Sequence, residues 1–299
     1  MHKGLGAVVT AALLAFTPPA FADATLDRIK DSGKLTLGYR SDIPPYSFDN
    51  GGNPDGFSVA LCQRIAQAVQ TELNLPDLTV DYVPLTAADR LDAIRQGRVD
   101  LSCGDDEPTF EHRREVEFSI PILLSGTGAI LHADAGNRLR DALDDRTRQT
   151  RPIWRAAPGD LGINLVVAAV AGTSVEKELV DQLSRRRISI TVESVPDYAV
   201  GVQMVHDRRA AVLFGDRPVL LYAAEHDPDA RDLRVLDARF SFRPVALSMR
   251  REDNDLRLLV DRTLAQLFQS SEIGPIYARY FGEPDQLVLE FFQSAAAME

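Results

Sequence analysis

Apolar residues recur along most of the chain at alternating strand and helix spacings. A strand is predicted at Lys34–Gly38, an amphipathic helix at Phe57–Thr71 and a strand at Leu78–Val83. A helix between Thr86 and Gly97 and a strand at Arg98–Ser102 follow. Strands that alternate with helices in this way favour a mostly parallel sheet with helices on its faces.

A second series of the same kind follows about 60 residues later, after a segment rich in Arg and Asp. Its predicted elements are a strand at Asn164–Val170, a helix at Thr173–Leu183, a strand at Ile188–Val192, a helix at Asp197–His206 and a strand at Ala210–Phe214. Helices are also predicted at Asn254–Gln269 and Ile273–Tyr280. The pattern predicts an α/β protein of two lobes.

Two segments are predicted to connect the lobes. Small residues interrupt the apolar strand from Ser125 to Leu131, and the run from Phe240 to Met249 provides the return. We expect residues 125–128 and 240–245 to act as a hinge. The expected division is 23–126 plus 244–299 for lobe 1, and 127–243 for lobe 2.

Residues 1–22 have the pattern of a secretory signal peptide. His2 and Lys3 precede the apolar run Leu5–Phe16, and small residues end the segment at Ala22. The run is shorter than the roughly 20 apolar residues that span a bilayer. We therefore expect an exported, periplasmic protein whose mature chain begins at Asp23, with a retained anchor as the alternative.

Composition and charge narrow the partners. The chain has 299 residues, of which 45% are hydrophobic and 26% charged, and its formal net charge is −11. Negative charge disfavours binding to nucleic acid through phosphate contacts. In an oxidising compartment a disulfide between Cys62 and Cys103 is expected, with two separately buried thiols as the alternative. No cofactor is expected.

The segment from Asp100 to Ser119 has the form of a ligand-binding loop. An apolar run ends at Cys103 and Gly104, and acidic residues follow before a turn that is predicted to begin at Thr109. A strand that leads into a helix start exposes unpaired N–H groups, which suit an anionic ligand group.

This loop and several spaced motifs resemble the family 3 periplasmic solute-binding proteins, in particular the glutamate/aspartate receptors. The motifs are Gly38-Tyr39-Arg40, Pro45-Tyr46-Ser47-Phe48, Gly56 to Cys62, Arg90, Gly97 to Leu101, Thr109, Glu117-Phe118-Ser119, Gly172-Thr173-Ser174, Phe214 to Arg217 and Ile276 to Gly282. The resemblance implies a two-lobed type II periplasmic-binding fold with a two-strand hinge. It also implies a monomer that captures an amino acid or related small polar solute and delivers it to an ABC permease in the inner membrane.

At the loop the chain departs from the family pattern. His112 stands where the family has an arginine, and Asp105 and Glu107 stand where small or hydroxyl residues are usual. Neighbouring acids could keep His112 charged, or Arg113 could take the role if the turn is shifted by one residue. Alternatively, the acids accept from a cationic ligand, or together with His112 they bind a metal ion.

Other ligand contacts follow from the resemblance. Thr173 begins a capping-box pattern and matches a residue that holds the ligand's α-carboxylate. Asp216 matches the acid that holds the α-amino group, with a helix N-cap as the alternative. Arg40 offers a planar fork for a side-chain carboxylate, or is a solvated surface residue. The remaining members of the predicted ligand-binding set are Tyr46, Thr127 and Tyr198.

Some features leave other functions open. Residues 137–158 are predicted to form a solvated surface segment, although Trp154 could anchor a partner. Asp105 and Glu107 could also serve an exported dehydratase of the cyclohexadienyl type on the same fold, because burial raises the pKa of a carboxyl. A receptor for a membrane sensor is a third possibility.

Overall fold

In the computed structural model, residues 25–143, 165–179 and 190–297 are described. The helices are α1 (Thr25–Ser32), α2 (Phe57–Glu72), α3 (Arg90–Arg95), α4 (Asn137–Leu143), α5 (174–179), α6 (Tyr198–His206), α7 (Arg217–His226), α8 (Asn254–Gln269), α9 (Ile273–Phe281) and α10 (Gln286–Ala296). The strands are β1 (Lys34–Arg40), β2 (Asp42–Ile43), β3 (Ser47–Asn50), β4 (Asn53–Asp55), β5 (Thr79–Leu85), β6 (Leu101–Asp106), β7 (Glu117–Phe118), β8 (Leu123–Ser125), β9 (Thr127–His132), β10 (Leu165–Val170), β11 (Ile190–Val195), β12 (Val212–Asp216), β13 (Leu233–Val235) and β14 (Arg243–Met249).

The strands form two main sheets, and each sheet with its helices is one lobe. Lobe 1 has the order β5-β1-β6-β14-β7, with β8 paired to β14, and lobe 2 has the order β11-β10-β12-β9-β13. In both lobes the strand-helix-strand units pair in parallel, whereas the strands that bring the chain in or out pair antiparallel. The two-lobed α/β fold predicted from the sequence is confirmed.

The lobes are connected where β8 leads into β9 and where the chain returns into β14. Ser125, at the end of β8, pairs with Arg243 of β14 in lobe 1. Thr127, two residues later, pairs with Asp216 of β12 in lobe 2. Asp216 therefore lies beside the connecting strands, where both lobes meet.

The disulfide between Cys62 and Cys103 is formed, as predicted, and joins α2 to β6. One turn earlier on α2, the hydroxyl of Ser58 donates to the carbonyl of Gly104 at 2.7 Å. Both contacts are buried. They hold the end of β6, which carries Asp105, against the core of lobe 1.

Several element boundaries differ from the predictions. The strand β6 continues through Gly104 to Asp106, beyond its predicted end at Ser102. The turn predicted to begin at Thr109 is present, because the N–H of Arg113 donates to the carbonyl of Thr109 at 2.9 Å, and it includes a 3₁₀ segment at His112–Arg114. The helix α3 begins only at Arg90, because Thr86 is held in a side-chain turn with Asp89. Predictions for residues 1–22, for Trp154 and the rest of 144–158, and for 180–189 lie outside the described residues.

Candidate functional site

Three strands from the two lobes end at one place between the lobes. β1 ends at Arg40, β6 carries Asp105 next to its last residue, and β12 ends at Asp216. Burial raises the pKa of Asp216, and the charge of Asp105 lies close enough to raise it further. In open α/β sheets, ligands bind at the carboxyl ends of the strands, and this position is the candidate site.

Asp216 is only partly satisfied by the protein. Its Oδ2 accepts a hydrogen bond from the hydroxyl of Ser125 at 2.5 Å. Its Oδ1 is buried and, within the described residues, receives no hydrogen bond of ordinary geometry. Burial first, and then the negative charges of Asp105 and Glu107, raise its pKa to about 8. A buried acceptor without a donor carries a desolvation cost that a ligand donor would remove.

The alternative role predicted for Asp216 is the N-cap of α7, and Asp216 does occupy that position. Against the larger raising effect of burial, the backbone N–H of Val219 in the first turn of α7 lowers the pKa of Asp216, although no capping hydrogen bond of ordinary geometry forms. By contrast, Asp197 caps α6 by accepting from the backbone N–H of Val200 at 2.8 Å. The capping contact of Asp216 is therefore the weaker of the two.

Two tyrosines flank Asp216. Tyr46 is fully buried, and its hydroxyl has no hydrogen bond of ordinary geometry among the described residues. Burial first, and then the negative charges of Asp216 and Asp105, raise its pKa. The hydroxyl of Tyr198 accepts from the backbone N–H of Asp216 at 3.0 Å. Gly215 is required there, because a Cβ at that position would lie 2.4 Å from the Tyr198 ring. The ring therefore lies directly against the end of β12.

Asp105 and Arg40 face the same space, but Arg40 is paired with another residue, whereas Asp105 forms no ion pair among the described residues. Burial raises the pKa of Asp105 against the lowering effect of Arg40 and Arg90. Arg40 is buried and donates both Nε and Nη2 to Asp42 at 2.7 Å. The fork that the sequence offers to a ligand carboxylate is thus occupied by a carboxylate of the protein.

A second carboxylate of the protein, that of Glu107, lies in an open groove between the lobes, and neither Asp105 nor Asp216 lines this groove. The groove has a volume of about 670 Å³. There Glu107 accepts from the hydroxyl of Ser174 at 2.6 Å and from Nη1 of Arg243 at 3.1 Å. Arg243 also donates to Ser174 and to Glu178. These contacts connect lobe 1 to lobe 2.

The loop after β6 is held by hydrogen bonds between its own residues. Thr109 accepts from the backbone N–H of His112 at 3.1 Å, and Nδ1 of His112 bonds to the carbonyl of Glu107 at 2.8 Å. Arg113 points away, with its guanidinium 5.5 Å from the Phe118 ring centroid and half-exposed. The structure therefore gives no support to a shift that brings Arg113 into the site.

The hydroxyls of Thr173 and Thr127 are both hydrogen-bonded to other groups of the protein. The hydroxyl of Thr173 donates to the carbonyl of Val170 at 2.7 Å and accepts from the N–H of Glu176, which is the capping role predicted for it. Thr127 is buried and bonds through its hydroxyl to Ser241 at 2.9 Å in the connecting segments.

The backbone beside Thr173 nevertheless lies at the interface of the lobes. Gly172 has a φ of 74°, and a Cβ there would lie 3.3 Å from the Cα of Ala88 in lobe 1. Its carbonyl is within 3.4 Å of Nη1 of Arg90, which also forms a buried ion pair with Asp106. Glycine allows this close approach of lobe 2 to lobe 1.

The model of one protein family matches residues 35–283 of the chain, and its description is bacterial extracellular solute-binding proteins, family 3. The chain belongs to this family. It is 29% identical to the L-glutamate/L-aspartate-binding protein of Pseudomonas aeruginosa, over 94% of this chain and 87% of that protein. It is 23% identical to the glutamate/aspartate import solute-binding protein of Escherichia coli, over 88% of this chain and 81% of that protein.

Solved structures show the same fold. An ancestral amino acid-binding protein, described as a precursor of cyclohexadienyl dehydratase, superposes with a TM-score of 0.69 at 23% identity and covers 86% of this chain and 99% of its own. An amino acid ABC transporter substrate-binding protein from Streptococcus pneumoniae, bound to L-arginine, has a TM-score of 0.65 at 18% identity, with coverage of 91% and 100%. At these identities the likeness concerns the fold. The named relatives are solute-binding proteins rather than enzymes.

Compared with the residues that the family resemblance predicts, the structure adds three to the site of this family 3 protein. Ser125, Ser174 and Arg243 contact Asp216 or Glu107, and none was predicted as a ligand contact. Ser174 adjoins the predicted Thr173, and Ser125 lies in the predicted hinge, so both were within reach of sequence reasoning. Arg243 is 136 residues from Glu107, and no local pattern could pair them.

Two further findings bear on the alternatives raised by the sequence. In the described parts of the chain, no group of three or more His, Cys, Asp or Glu side chains is arranged to hold a metal ion. No helix in those parts is long and apolar enough to cross a membrane.

Proposed function

We propose that this family 3 protein captures an amine-bearing solute, an amino acid or a close relative of one, between its lobes. The observation that carries the proposal is the buried Oδ1 of Asp216, which lacks a donor, beside Asp105. An ammonium group supplies several N–H donors and one positive charge, which is what this pair of carboxyls needs.

The charges of the inner cleft favour a cation over an anion. Asp105 and Asp216 face the space between the lobes, while Arg40 is paired with Asp42. Two carboxyls that share a site raise each other's pKa, and an ammonium between them would lower both. Tyr46 and Tyr198 are both buried beside Asp216.

The relatives support the class of solute. Those named above are glutamate/aspartate-binding proteins, and a further relative from Rhodobacter capsulatus, 26% identical over 90% of this chain, is a glutamate/glutamine/aspartate/asparagine-binding protein. Amino acids all carry the ammonium group that Asp216 is placed to hold. We therefore propose an amino acid-like ligand without naming the amino acid from the relatives.

Delivery and location belong to the same proposal. The mature chain, beginning at Asp23, is exported to the periplasm and presents its closed form to an ABC permease of the inner membrane. The signal pattern of residues 1–22 and the membership of an extracellular family support export. N-terminal sequencing of the exported protein tests the cleavage at Ala22, since retention of residues 1–22 would contradict it.

The ligand is tested by a thermal-shift screen of the mature chain against amino acids and simple amines. A ligand at 100 times its dissociation constant stabilises the folded state by about 2.7 kcal/mol. We expect Asp216→Asn to abolish the shift, while Asp229→Asn, an exposed change in the same lobe, leaves it intact. A shift that persists in Asp216→Asn removes Asp216 from the binding site.

A further inference from the structure

We infer that the carboxylate of Glu107 takes the place of a ligand carboxylate, so that the cleft selects amines without a carboxylate beside the amino group. The inference rests on the proposed function and narrows its ligand class. It starts from the contacts of Glu107, whose carboxylate meets Ser174 of lobe 2 and Arg243 of β14.

The contacts of Glu107 are those of a bound carboxylate. One oxygen accepts from the hydroxyl of Ser174 at 2.6 Å, and Nη1 of Arg243 lies 3.2 and 3.1 Å from the two oxygens. A hydroxyl and a guanidinium are the donors that commonly hold a carboxylate in a protein site. The side chains of Glu107 and Arg243 are only 19% and 16% exposed, so solvent screens the pair weakly.

The other cations around the cleft are also paired with carboxylates of the protein. Arg40 is held by Asp42, Arg90 by Asp106, and Lys177 by Glu111. Nδ1 of His112 is hydrogen-bonded to the backbone carbonyl of Glu107. A ligand carboxylate that entered here would meet the negative charge of Glu107 and would have to displace it from Arg243, which opposes binding.

At the other end of the cleft, where we propose that the amine binds, carboxyls rather than cations are available to a ligand. Asp105 has no ion pair among the described residues, and the buried Oδ1 of Asp216 has no donor. The hydroxyl of Tyr46 is buried beside Asp216 and, among the described residues, has no hydrogen bond of ordinary geometry. At this end of the cleft Arg40 is already paired with Asp42, and the other end already holds the carboxylate of Glu107. This arrangement is the complement of an amine that has lost its carboxylate.

The test compares amines with the amino acids from which they differ by one carboxylate: agmatine with arginine, cadaverine with lysine, and 4-aminobutyrate with glutamate. Affinities of the mature wild-type chain and of Glu107→Gln are measured by isothermal titration calorimetry. We expect the wild type to bind the amine of at least one pair tenfold or more tightly than the amino acid. Glu107→Gln should shift that ratio at least tenfold toward the amino acid, because the negative charge that repels a ligand carboxylate is removed and Nη1 of Arg243 loses its carboxylate partner, while Nη2 stays on Glu178.

Glu115→Gln is the matched control. It removes one negative charge from lobe 1, its side chain is 42% exposed, and its cation Arg95 is 4.0 Å away, outside the cleft. The ratio should stay at the wild-type value. Glu107→Ala is the second variant if Glu107→Gln does not fold, as judged by circular dichroism.

The outcomes separate the inference from the proposed function. Wild-type protein that binds at least one of the probes but binds no amine tenfold more tightly than its paired amino acid overturns the inference and leaves the proposed function standing. The same conclusion follows if Glu107 variants fold but leave the ratio unchanged, since Glu107 then only links the lobes. Absence of binding across all six probes and the wider amine and amino acid screen overturns both.

Discussion

The carboxyl of Asp216 should make the stability of the unliganded protein fall as the pH rises from 6 to 8. Burial and the charges of Asp105 and Glu107 raise its pKa from 3.8 to about 8 in the folded protein. Between these two values the unfolded chain has lost the proton that the folded protein still holds. The unfolded state therefore binds fewer protons, and the free energy of unfolding decreases with increasing pH.

The size of the effect follows from the two pKa values. One pKa unit corresponds to about 1.4 kcal/mol, so at pH 7 the raised pKa disfavours folding by about 4 kcal/mol. Between pH 6 and pH 8 the wild type should lose about 2 kcal/mol through Asp216 alone, and the loss ends above the folded pKa. Asp216→Asn cannot ionise and should not show this loss.

The assay is urea denaturation of wild type and Asp216→Asn at pH 6, 7 and 8. Other groups titrate in both proteins, so the informative quantity is the difference between their free energies of unfolding. That difference should change by about 2 kcal/mol in favour of the variant between pH 6 and pH 8. Asp229→Asn, which alters an exposed Asp of lobe 2, should track the wild type. A difference that stays flat across this range would show that Asp216 is ionised in the unliganded protein and would refute the argument.

Three further predictions concern the same regions. An alkylamine that stays protonated up to pH 8 should bind roughly tenfold more tightly for each unit by which the pH rises toward 8, and its binding should release a proton, because Asp216 must ionise to pair with it. Calorimetry in buffers of different ionisation enthalpy measures this, and pH-independent affinity contradicts it. Asp42→Asn should cost about 3 kcal/mol in urea denaturation, since it leaves the buried Arg40 without its carboxylate. As a control, Asp81→Asn breaks the exposed pair with Lys34 and should cost less than about 1 kcal/mol. Equal losses of unfolding free energy in Asp42→Asn and Asp81→Asn would show that burial of Arg40 does not strengthen its pairing. Replacing both Cys62 and Cys103 by serine should lower the unfolding free energy by about 4 kcal/mol on the chain-entropy model, and a change near zero would mean that the core alone holds β6 to α2.

Sequence reasoning was most successful where the determinants are local. The helix α8 and the strand β10 were predicted to within a residue, because apolar spacing and flanking turn residues lie inside the same short window. The disulfide followed from having two cysteines in an exported chain. The turn that begins at Thr109 was also predicted, and the hydroxyl of Thr109 accepts from the N–H of His112 within it, whereas the 3₁₀ geometry of His112–Arg114 was not predicted.

The candidate site was only partly accessible from the sequence. The position of Asp216 after an apolar strand marked it as facing the space between the lobes, and the structure shows its Oδ1 buried there without a donor. The occupation of Arg40 by Asp42 and of Arg243 by Glu107 was not predicted. A cation in the sequence carries no sign of which carboxylate pairs with it once the chain has folded.

By itself, the sequence determined the strand-helix alternation, the two lobes and the residue types available to the cleft, because spacing and composition are properties of short segments. Only the tertiary structure decided which charges are already neutralised. Pairing depends on distances between residues as far apart as Glu107 and Arg243, and those distances arise when the two lobes meet. That pairing leaves Asp105 and Asp216 as the carboxyls that we propose hold the ammonium group of a ligand.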